Sequence, residues 1–255
     1  MEYYRLADGR WACDTGDDLA ILDAAPWLGG RATSARAPKA DLAAPVAPTK
    51  IVCVGRNYAA HAAELGNAVP AEPLLFLKPP SAIVGPGEAI RLPAVSARIE
   101  HEGELAVVLC RRLSDADEEA ARAAIFGWTA ANDITARDLQ RADVQFTRAK
   151  GFDTFCPVGP CIVTDLDPGS LRIRTWVGQA LRQDGNTHSM LRTPAALVAY
   201  ISRIMTLEPG DLVLTGTPAG VGPIEAGDVV RVEIEGIPPL VNPVTERRAA
   251  ARNSP

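Results

Sequence analysis

Between residues 98 and 109 the chain reads RIEHEGELAVVL, with glutamates at alternate positions just before an uninterrupted apolar run. Glu100, Glu102 and Glu104 occupy every second position, so a strand with a period of two would place their carboxylates on one face. The apolar run that follows predicts that this strand continues into a buried sheet. Three like charges at the edge of a core repel one another, which indicates that positive charge lies nearby.

The segments before this strand alternate short strands with turns. Residues 1–30 predict a hairpin through Ala7-Asp8-Gly9, whereas the Ala- and Pro-rich residues 31–50 follow neither the strand nor the helix period and are interpreted as a linker. The next stretch, KIVCVGRNYAAHAAELGN, predicts a short buried strand, a turn and a short Ala-rich helix that ends at Gly66.

Further helices are few. We expect one helix after Ser114 as its N-cap, and the acidic run DADEE then places favourable negative charge in its first turn rather than forming a metal loop. Two others are expected around Ala136 to Ala142 and from about Pro194 to Thr206. Because strands outnumber helices and are not joined by regular helical crossovers, the pattern favours a mainly β, mixed α+β fold over a doubly wound sheet.

Composition and charge narrow the class of partner. The 255 residues carry a formal net charge of −5 and no dense Lys/Arg block, which argues against nucleic acid or an anionic membrane and favours a small molecule. No apolar stretch approaches the roughly 20 residues of a membrane-spanning helix, and the start MEYYRLADGRW lacks the features of a signal peptide, so we expect a cytoplasmic protein. The 5 cysteines have no CxxC spacing and are expected to be reduced.

The carboxylates are candidates for binding a hard cation. Glu100, Glu102 and Glu104 run directly into the buried strand, and Asp133 ends another apolar stretch, GWTAANDI. Oxygen ligands of this kind suit Mg²⁺ or Mn²⁺, and no Cys/His set with zinc spacing accompanies them. A solvent-facing strand edge would show the same alternation, so the spacing alone leaves both interpretations open.

Three further features are candidates for chemistry. His61 and Glu64 lie three positions apart on one helix face, where a carboxylate would orient the imidazole as a general base, although a surface pair has the same spacing. Lys150 could stabilise a developing enolate, although surface lysines are commoner. The segment TGTPAGVG, residues 215–222, is neither a P-loop nor a Rossmann loop, and it suits either a small carboxylate or a plain turn.

Six ordered motifs resemble one enzyme family. The fumarylacetoacetate hydrolase family has the same succession as GRNYAAHAAELGN, KPPSAIVGPGEAI, HEGELAVVL, ANDITARDLQ, AKGFDTFCPVGP and LEPGDLVLTGTPAGVGPIEAGDVVRVEIEG, which here runs from about Lys50 to Val244. The resemblance implies a catalytic β-sandwich roll of the fumarylacetoacetate hydrolase C-terminal type in residues 50–244. It also implies a small N-terminal domain with a linker in residues 1–49, a C-terminal tail in residues 245–255, and a homodimer.

The resemblance implies roles for individual residues. The implied ligands of Mg²⁺ or Mn²⁺ are Glu102, Glu104 and Asp133. Glu100 stays outside this set. Lys150 would stabilise the enolate of the substrate, and the catalytic dyad would be His61 and Glu64. The residues that would hold the substrate's carboxylate are Arg56, Asn57, Tyr58 and Thr217.

The implied reaction is metal-dependent hydrolysis of the C–C bond in an acylpyruvate-like 2,4-dioxo acid to pyruvate and a carboxylic acid, with oxaloacetate decarboxylation as a further activity. In that reaction His61 would take a proton from the attacking water. The alternative within the family is an isomerase or decarboxylase of an aromatic ring-cleavage product, such as 2-hydroxyhepta-2,4-diene-1,7-dioate isomerase or 5-carboxymethyl-2-oxo-hex-3-ene-1,7-dioate decarboxylase. Outside the family, the alternative is a non-catalytic β-rich binding protein. One departure from the family, His188-Ser189 where an acidic residue is frequent, bears on the substrate.

Overall fold

A computed structural model describes residues 1–246 as a strand-rich chain with short helices. The α-helices are α1 (Ala59–Glu64), α2 (Glu118–Ala124), α3 (Arg137–Ala142), α4 (Thr147–Lys150) and α5 (Pro194–Ser202). The strands up to the middle of the chain are β1 (Glu2–Leu6), β2 (Trp11–Asp14), β3 (Leu19–Leu22), β4 (Ala32–Ala37), β5 (Leu42–Ala43), β6 (Ile51–Gly55), β7 (Leu74–Lys78), β8 (Ile83–Val84), β9 (Ile90–Leu92), β10 (Ile99–His101) and β11 (Gly103–Leu109). The remaining strands are β12 (Ile125–Asn132), β13 (Thr135–Ala136), β14 (Cys156–Val163), β15 (Arg172–Val177), β16 (Ala180–Asn186), β17 (Leu212–Leu214), β18 (Gly222–Pro223), β19 (Val229–Ile234) and β20 (Ile237–Glu246).

Three sheets organise the fold. The largest has 12 strands, in the order β4-β3-β2-β1-β14-β12-β11-β17-β6-β7, with β5 on β1 and β8 on β14. A 5-stranded sheet has the order β16-β15-β19-β20-β9, and a 3-stranded sheet has the order β13-β10-β18. Most neighbours in the large sheet are antiparallel, which confirms the mainly β, mixed α+β fold and excludes a doubly wound sheet.

Strand β11 lies in the middle of the large sheet and is buried along its whole length. Leu105 and Val107 face a core that includes Ile173 of the 5-stranded sheet. Ala106 and Val108 face a second core on the opposite side. Because both faces of β11 are covered, the run LAVVL contains no polar residue, and the strand provides a rigid base for the glutamates at its start.

The helices expected from the sequence pattern form, but the end of α5 and the start of α2 differ from it. Helices α1, α3 and α5 lie where they were expected, although α5 ends at Ser202 rather than Thr206. The N-cap of α2 is Asp117 and not Ser114, because the Asp117 side chain accepts a hydrogen bond from Ala120 N at 2.8 Å. The predicted role of the acidic run as a helix start is therefore correct, but the capping residue was wrong.

The N-terminal residues add to the main sheet. The predicted hairpin forms β1 and β2, and β1 also pairs with β14 of the predicted catalytic domain. The segment interpreted as a linker contains β4 and β5, which pair with β3 and β1. The predicted C-terminal tail begins within β20, which pairs with β9 as far as Glu246, and residues 247–255 lie outside the described residues. Over residues 1–246, no helix is long and apolar enough to cross a membrane.

Candidate active site

Three buried carboxylates meet where β11 begins and β12 ends. Glu104 belongs to β11, Glu102 directly precedes this strand, and Asp133 directly follows β12. Antiparallel pairing places Gly103 opposite Asn132, and Asp133 N donates to Glu102 O at 2.8 Å. As a result, one oxygen of each of the three carboxylates lies within 4.8 Å of those of the other two. The structure therefore brings together the three residues that the family resemblance implied as metal ligands.

Glu100 lies outside this cluster and pairs with two arginines, one of which, Arg137, also donates to Glu102. Its carboxylate accepts hydrogen bonds from Arg98 Nε at 2.6 Å and from Arg137 Nε at 2.7 Å. Burial opposes ionisation, but Arg137 and Arg98 outweigh it and hold the pKa of Glu100 below its usual value. The expected single strand is also interrupted here, because β10 ends at His101 and β11 begins at Gly103. The glutamates thus share a sequence period but not an environment.

Buried cations neutralise two of the three clustered carboxylates. Lys150 Nζ donates to Glu102 Oε2 at 2.8 Å and to Asp133 Oδ2 at 2.6 Å. Lys78 Nζ donates to Asp133 Oδ1 at 2.5 Å, and Arg137 Nη2 donates to Glu102 Oε1 at 2.6 Å. Burial alone would favour neutral Lys150, but Asp133 and Glu102 raise the pKa of this lysine above its usual value. Lys150 therefore remains charged inside the site.

Glu104 has no cation of its own. Its Oε2 accepts a hydrogen bond from Gly216 N at 2.6 Å, and among residues 1–246 it forms no ion pair. Burial, Asp133 and Glu102 together raise the pKa of Glu104 well above its usual value. A divalent cation would supply the missing positive charge. The all-oxygen donor set, with one uncompensated carboxylate, fits Mg²⁺ or Mn²⁺ better than metals that prefer thiolate or imidazole.

A cleft of about 260 Å³ opens over this centre. Its walls include all three carboxylates and Lys150. The other predicted site residues on its walls are His61, Arg56 and Thr217. Arg141 also lines the cleft, and neither it nor Arg56 forms an ion pair with a described residue. The cleft therefore combines a negatively charged floor, partly neutralised by lysine, with unpaired positive charge on its walls.

Two residues that were predicted to hold substrate lie away from the cleft. Asn57 uses its amide to fix backbone, since Oδ1 accepts from Arg192 N at 2.9 Å and Nδ2 donates to Thr215 O at 2.8 Å. Tyr58 is buried, and its hydroxyl has no hydrogen-bond partner in the described part of the chain. Burial and the nearby charge of Glu104 raise the pKa of Tyr58. Asn57 and Tyr58 therefore pack beside the site and do not form part of the cleft wall.

Of the predicted dyad, His61 lines the cleft, whereas Glu64 does not. His61 is buried on α1, and its Nδ1 lies 3.5 Å from Glu64 Oε2, too far for a strong hydrogen bond. Glu64 is held by the backbone, because Gly220 N donates to its two carboxylate oxygens at 3.0 and 3.1 Å. The structure therefore brings His61 and Glu64 side by side and also ties α1 to the segment that follows β17.

The hydroxyl proton of Thr217 is already used in a hydrogen bond within the protein. Thr217 Oγ1 donates to Gly103 O at 2.8 Å and accepts from Gln183 Nε2 at 2.7 Å. A hydroxyl has one proton, so this group cannot also donate to a substrate carboxylate without losing its bond to Gly103. Thr217 lines the cleft as predicted, but its side chain also joins two strands.

Sequence reasoning missed several residues of the site. Lys78 is the last residue of the apolar strand β7 and donates to Asp133. A lysine at the end of an apolar strand indicates a buried ion pair, which was not predicted from the sequence. Arg137 and Gln140 lie three positions apart on α3 at the cleft wall, and Arg137 Nη1 donates to Gln140 Oε1 at 2.5 Å. By contrast, His188 is exposed and does not line the cleft, so the noted departure at His188-Ser189 lies away from the candidate site.

The fold and the site define a class of protein: a strand-rich chain with a buried carboxylate centre, suited to a divalent metal, at the floor of a polar cleft. Comparison with known families narrows the class. Residues 50–245 match the family described as fumarylacetoacetate (FAA) hydrolase C-terminal. The chain belongs to this enzyme family, which confirms the resemblance seen in the sequence and excludes the interpretation as an unrelated β-rich binding protein.

Similarity to individual relatives and to a solved structure supports the assignment to this family. A Mycobacterium tuberculosis protein is 54% identical over 215 residues, covering 82% of this chain and 81% of the relative. A Xenopus laevis protein named oxaloacetate tautomerase fahd2, mitochondrial, is 44% identical over 216 residues, covering 80% of this chain and 68% of its own. The crystal structure of a 2-hydroxyhepta-2,4-diene-1,7-dioate isomerase from Mycobacterium marinum is 46% identical, with a TM-score of 0.89 and coverage of 98% of this chain and 100% of that chain.

Proposed function

We propose that this protein catalyses divalent-metal-dependent enolisation of a 2-oxo dicarboxylic acid, with keto–enol or double-bond isomerisation, or decarboxylation, as the outcome. The observation that carries this proposal is the convergence of Glu102, Glu104 and Asp133 within 4.8 Å beside the ammonium group of Lys150. An electron sink of this kind favours the enolate of a 2-oxo acid, which is common to all three outcomes.

The proposed metal ligands are Glu102, Glu104 and Asp133, and the proposed ion is Mg²⁺ or Mn²⁺. When bound there, a divalent cation would polarise the 2-oxo group of the substrate and so acidify the neighbouring carbon. Lys78 and Arg137 hold the carboxylates of Asp133 and Glu102 in place through their hydrogen bonds. They limit the movement of the ligands, which supports a preorganised site.

The proposed chemistry assigns charge stabilisation to Lys150 and proton transfer to His61. Lys150 lines the cleft and remains charged, so it can stabilise negative charge that develops on the 2-oxo oxygen. His61 lines the same cleft with Nδ1 towards Glu64, which leaves Nε2 to take the proton from the substrate carbon and return it at the new position.

A dicarboxylic substrate is supported by the walls of the cleft. Arg56 and Arg141 line it, and neither is neutralised by an acidic side chain within residues 1–246. A second carboxylate, far from the reacting carbon, would pair with one of them. The names of the relatives agree, because oxaloacetate and 2-hydroxyhepta-2,4-diene-1,7-dioate are both dicarboxylates.

A second candidate function is the hydrolysis of an acylpyruvate to pyruvate and a carboxylic acid. The pairing of His61 with Glu64 at 3.5 Å supports it, since an imidazole beside a carboxylate is suited to taking a proton from water. The resulting hydroxide would attack the distal carbonyl, the C–C bond would break towards the 2-oxo acid, and the pyruvate enolate would then take up a proton. Hydrolysis remains second because a simple acylpyruvate such as acetylpyruvate has one carboxylate and would leave the positive charge on the cleft walls unused.

The test compares three substrates, oxaloacetate, 2-hydroxyhepta-2,4-diene-1,7-dioate and acetylpyruvate, each with Mg²⁺ and with excess chelator. We expect Mg²⁺-dependent turnover of at least one dicarboxylate, with little cleavage of acetylpyruvate. Lys150→Met serves as the matched inactive enzyme, and it should show no turnover above background. Cleavage of acetylpyruvate alone would reverse the order of the two candidates, and turnover that persists in chelator would reject the metal-dependent mechanism.

A further inference from the structure

A single buried amide outside the cleft joins the two segments that form the cleft floor and wall. Gln183 lies on β16 of the 5-stranded sheet and is completely buried. Its Oε1 accepts from Gly103 N at 2.9 Å and lies 3.2 Å from His101 Nδ1. Its Nε2 donates to Thr217 Oγ1 at 2.7 Å and to Pro218 O at 2.8 Å. With the proton of His101 on Nδ1, all four hydrogen-bonding positions of the amide are used.

These bonds take the place of strand pairing beside Gly103, where β11 has no neighbouring strand on one side. On one side, β11 pairs with β12 from Gly103 onward, but on the other side it pairs with β17 only from Ala106 to Val108. At Gly103 the free N–H and C=O are instead satisfied by Gln183 Oε1 and Thr217 Oγ1. Gly103 is the residue between the proposed ligands Glu102 and Glu104, so two side chains extend the hydrogen-bond ladder across the ligand pair.

The same segment continues to the proposed dyad. After Thr217 and Pro218 the chain crosses β16, where a Cβ on Gly220 would lie 2.2 Å from Arg182 O. Gly220 has a φ of +101°, a conformation that glycine adopts without strain, and its N–H donates to the carboxylate of Glu64. A continuous set of contacts therefore runs from the ligand strand, through Gln183 and the segment 217–220, to Glu64.

We propose that Gln183 is a positioning residue that fixes the spacing of the ligand pair Glu102 and Glu104 and the place of Thr217 at the cleft wall. This inference rests on the proposed metal centre and deepens it. Gln183 does not line the cleft, and it acts through His101, Gly103 and the segment after β17. Supporting residues of this kind typically change metal affinity by about 10- to 100-fold when they are removed.

The test measures Mn²⁺ binding directly, by the electron paramagnetic resonance signal of free Mn²⁺, without substrate. Gln183→Met keeps the length of the side chain and removes its hydrogen bonds, and its Mn²⁺ dissociation constant should rise about 10- to 100-fold. Asn242→Leu is the matched control, because Asn242 is also a buried amide of the 5-stranded sheet and donates to Gly85 O and Glu88 O. It should lose thermal stability but keep the wild-type dissociation constant and kcat.

A second pair of variants covers the case in which Gln183→Met does not fold. Thr217→Val breaks the same link from its other end, whereas Thr217→Ser keeps both hydrogen bonds of the hydroxyl. The dissociation constant for Mn²⁺ should rise in Thr217→Val and return to that of the wild type in Thr217→Ser. An unchanged constant in Gln183→Met or Thr217→Val, or an equal rise in Asn242→Leu, would overturn the inference alone. A wild-type protein that binds no Mn²⁺ would overturn the proposed metal centre as well.

Discussion

The backbone N–H of Asp133 donates to the carbonyl oxygen of Glu102 at 2.8 Å, so two of the proposed metal ligands are joined by a main-chain hydrogen bond. This bond extends the pairing of β11 with β12 by one step past Gly103 and Asn132. The distance between the ligand side chains is therefore set by the register of a buried sheet and not by a loop. Sites that stand on sheet backbone in this way are held more firmly than sites on loops.

Removing the charge of Glu104 should stabilise the metal-free protein. A buried carboxylate with a raised pKa costs folding free energy at neutral pH, and this cost grows as pH rises from the unfolded-state pKa towards the folded-state value. Glu104→Gln keeps an acceptor for Gly216 N and removes the charge. In the presence of chelator, urea unfolding should show a gain of about 1 kcal/mol or more. A loss of stability in chelator would show that Glu104 is already compensated in the folded protein.

Metal affinity should rise with pH. Because burial, Asp133 and Glu102 raise the pKa of Glu104, this carboxyl holds a proton below that pKa, and an incoming cation must displace it. The affinity for Mn²⁺ should therefore increase with pH and level off once Glu104 is ionised. Titrations at several pH values measure this, with the proton release given by calorimetry in buffers of different ionisation enthalpy. Glu104→Gln should bind Mn²⁺ weakly and without this proton release, and equal proton release by that variant would assign the proton to another group.

The two lysines should have different effects when they are removed. Lys150 lines the cleft, whereas Lys78 donates to Asp133 from outside the cleft walls. Lys150→Met should lower kcat by about 100-fold or more, since it removes the cation beside the developing enolate. Lys78→Met should keep most of kcat, whereas both variants should destabilise the metal-free protein by about 3 kcal/mol, because each removes a partner of buried Asp133. Kinetics and unfolding of both variants test this, and an equal loss of kcat in the two variants would contradict the separation.

Gly103 should not accept a side chain. A Cβ at this position would lie 2.2 Å from Thr175 Oγ1 and 3.3 Å from Val232 Cγ1, where the 5-stranded sheet packs against β11. Gly103→Ala should therefore cost about 1–3 kcal/mol of stability and weaken Mn²⁺ binding by moving the flanking glutamates. Thr175→Ala removes the nearest atom, and the double variant should recover part of both losses. Purely additive effects in the double variant would show that the strain lies elsewhere.

The sequence was most informative where a short pattern is also a structural unit. The alternation in RIEHEGELAVVL and the buried run after it predicted the ligand strand, because strand period and burial act over a few residues. The pattern could not separate Glu100 from Glu102, since Lys150 pairs with Glu102 and not with Glu100, a contact that forms only in the folded chain. The family motifs were needed to divide the glutamates into ligands and a neighbour.

Contacts between distant segments account for what was missed. Lys78 meets Asp133, and Gln183 meets Gly103, only because β7 and β16 pack near the same end of β11. No local spacing encodes such pairs. At Asn57 the motif led to a wrong assignment. It suggested substrate binding, but the oxygen and the nitrogen of the side-chain amide both form hydrogen bonds with backbone atoms. A motif identifies residues that a family keeps together, but only the structure separates those that line the cleft from those that support it.

The most direct test of the proposed chemistry is the exchange of solvent deuterium into the carbon next to the 2-oxo group of oxaloacetate, followed by NMR. This measurement reports enolisation whether or not the product changes. With Mg²⁺ the wild-type protein should accelerate the exchange over the rate with Mg²⁺ alone, and chelator or Lys150→Met should abolish the acceleration. Exchange no faster than with free Mg²⁺, while acetylpyruvate is cleaved, would contradict enolisation of a dicarboxylate as the principal activity and favour hydrolysis.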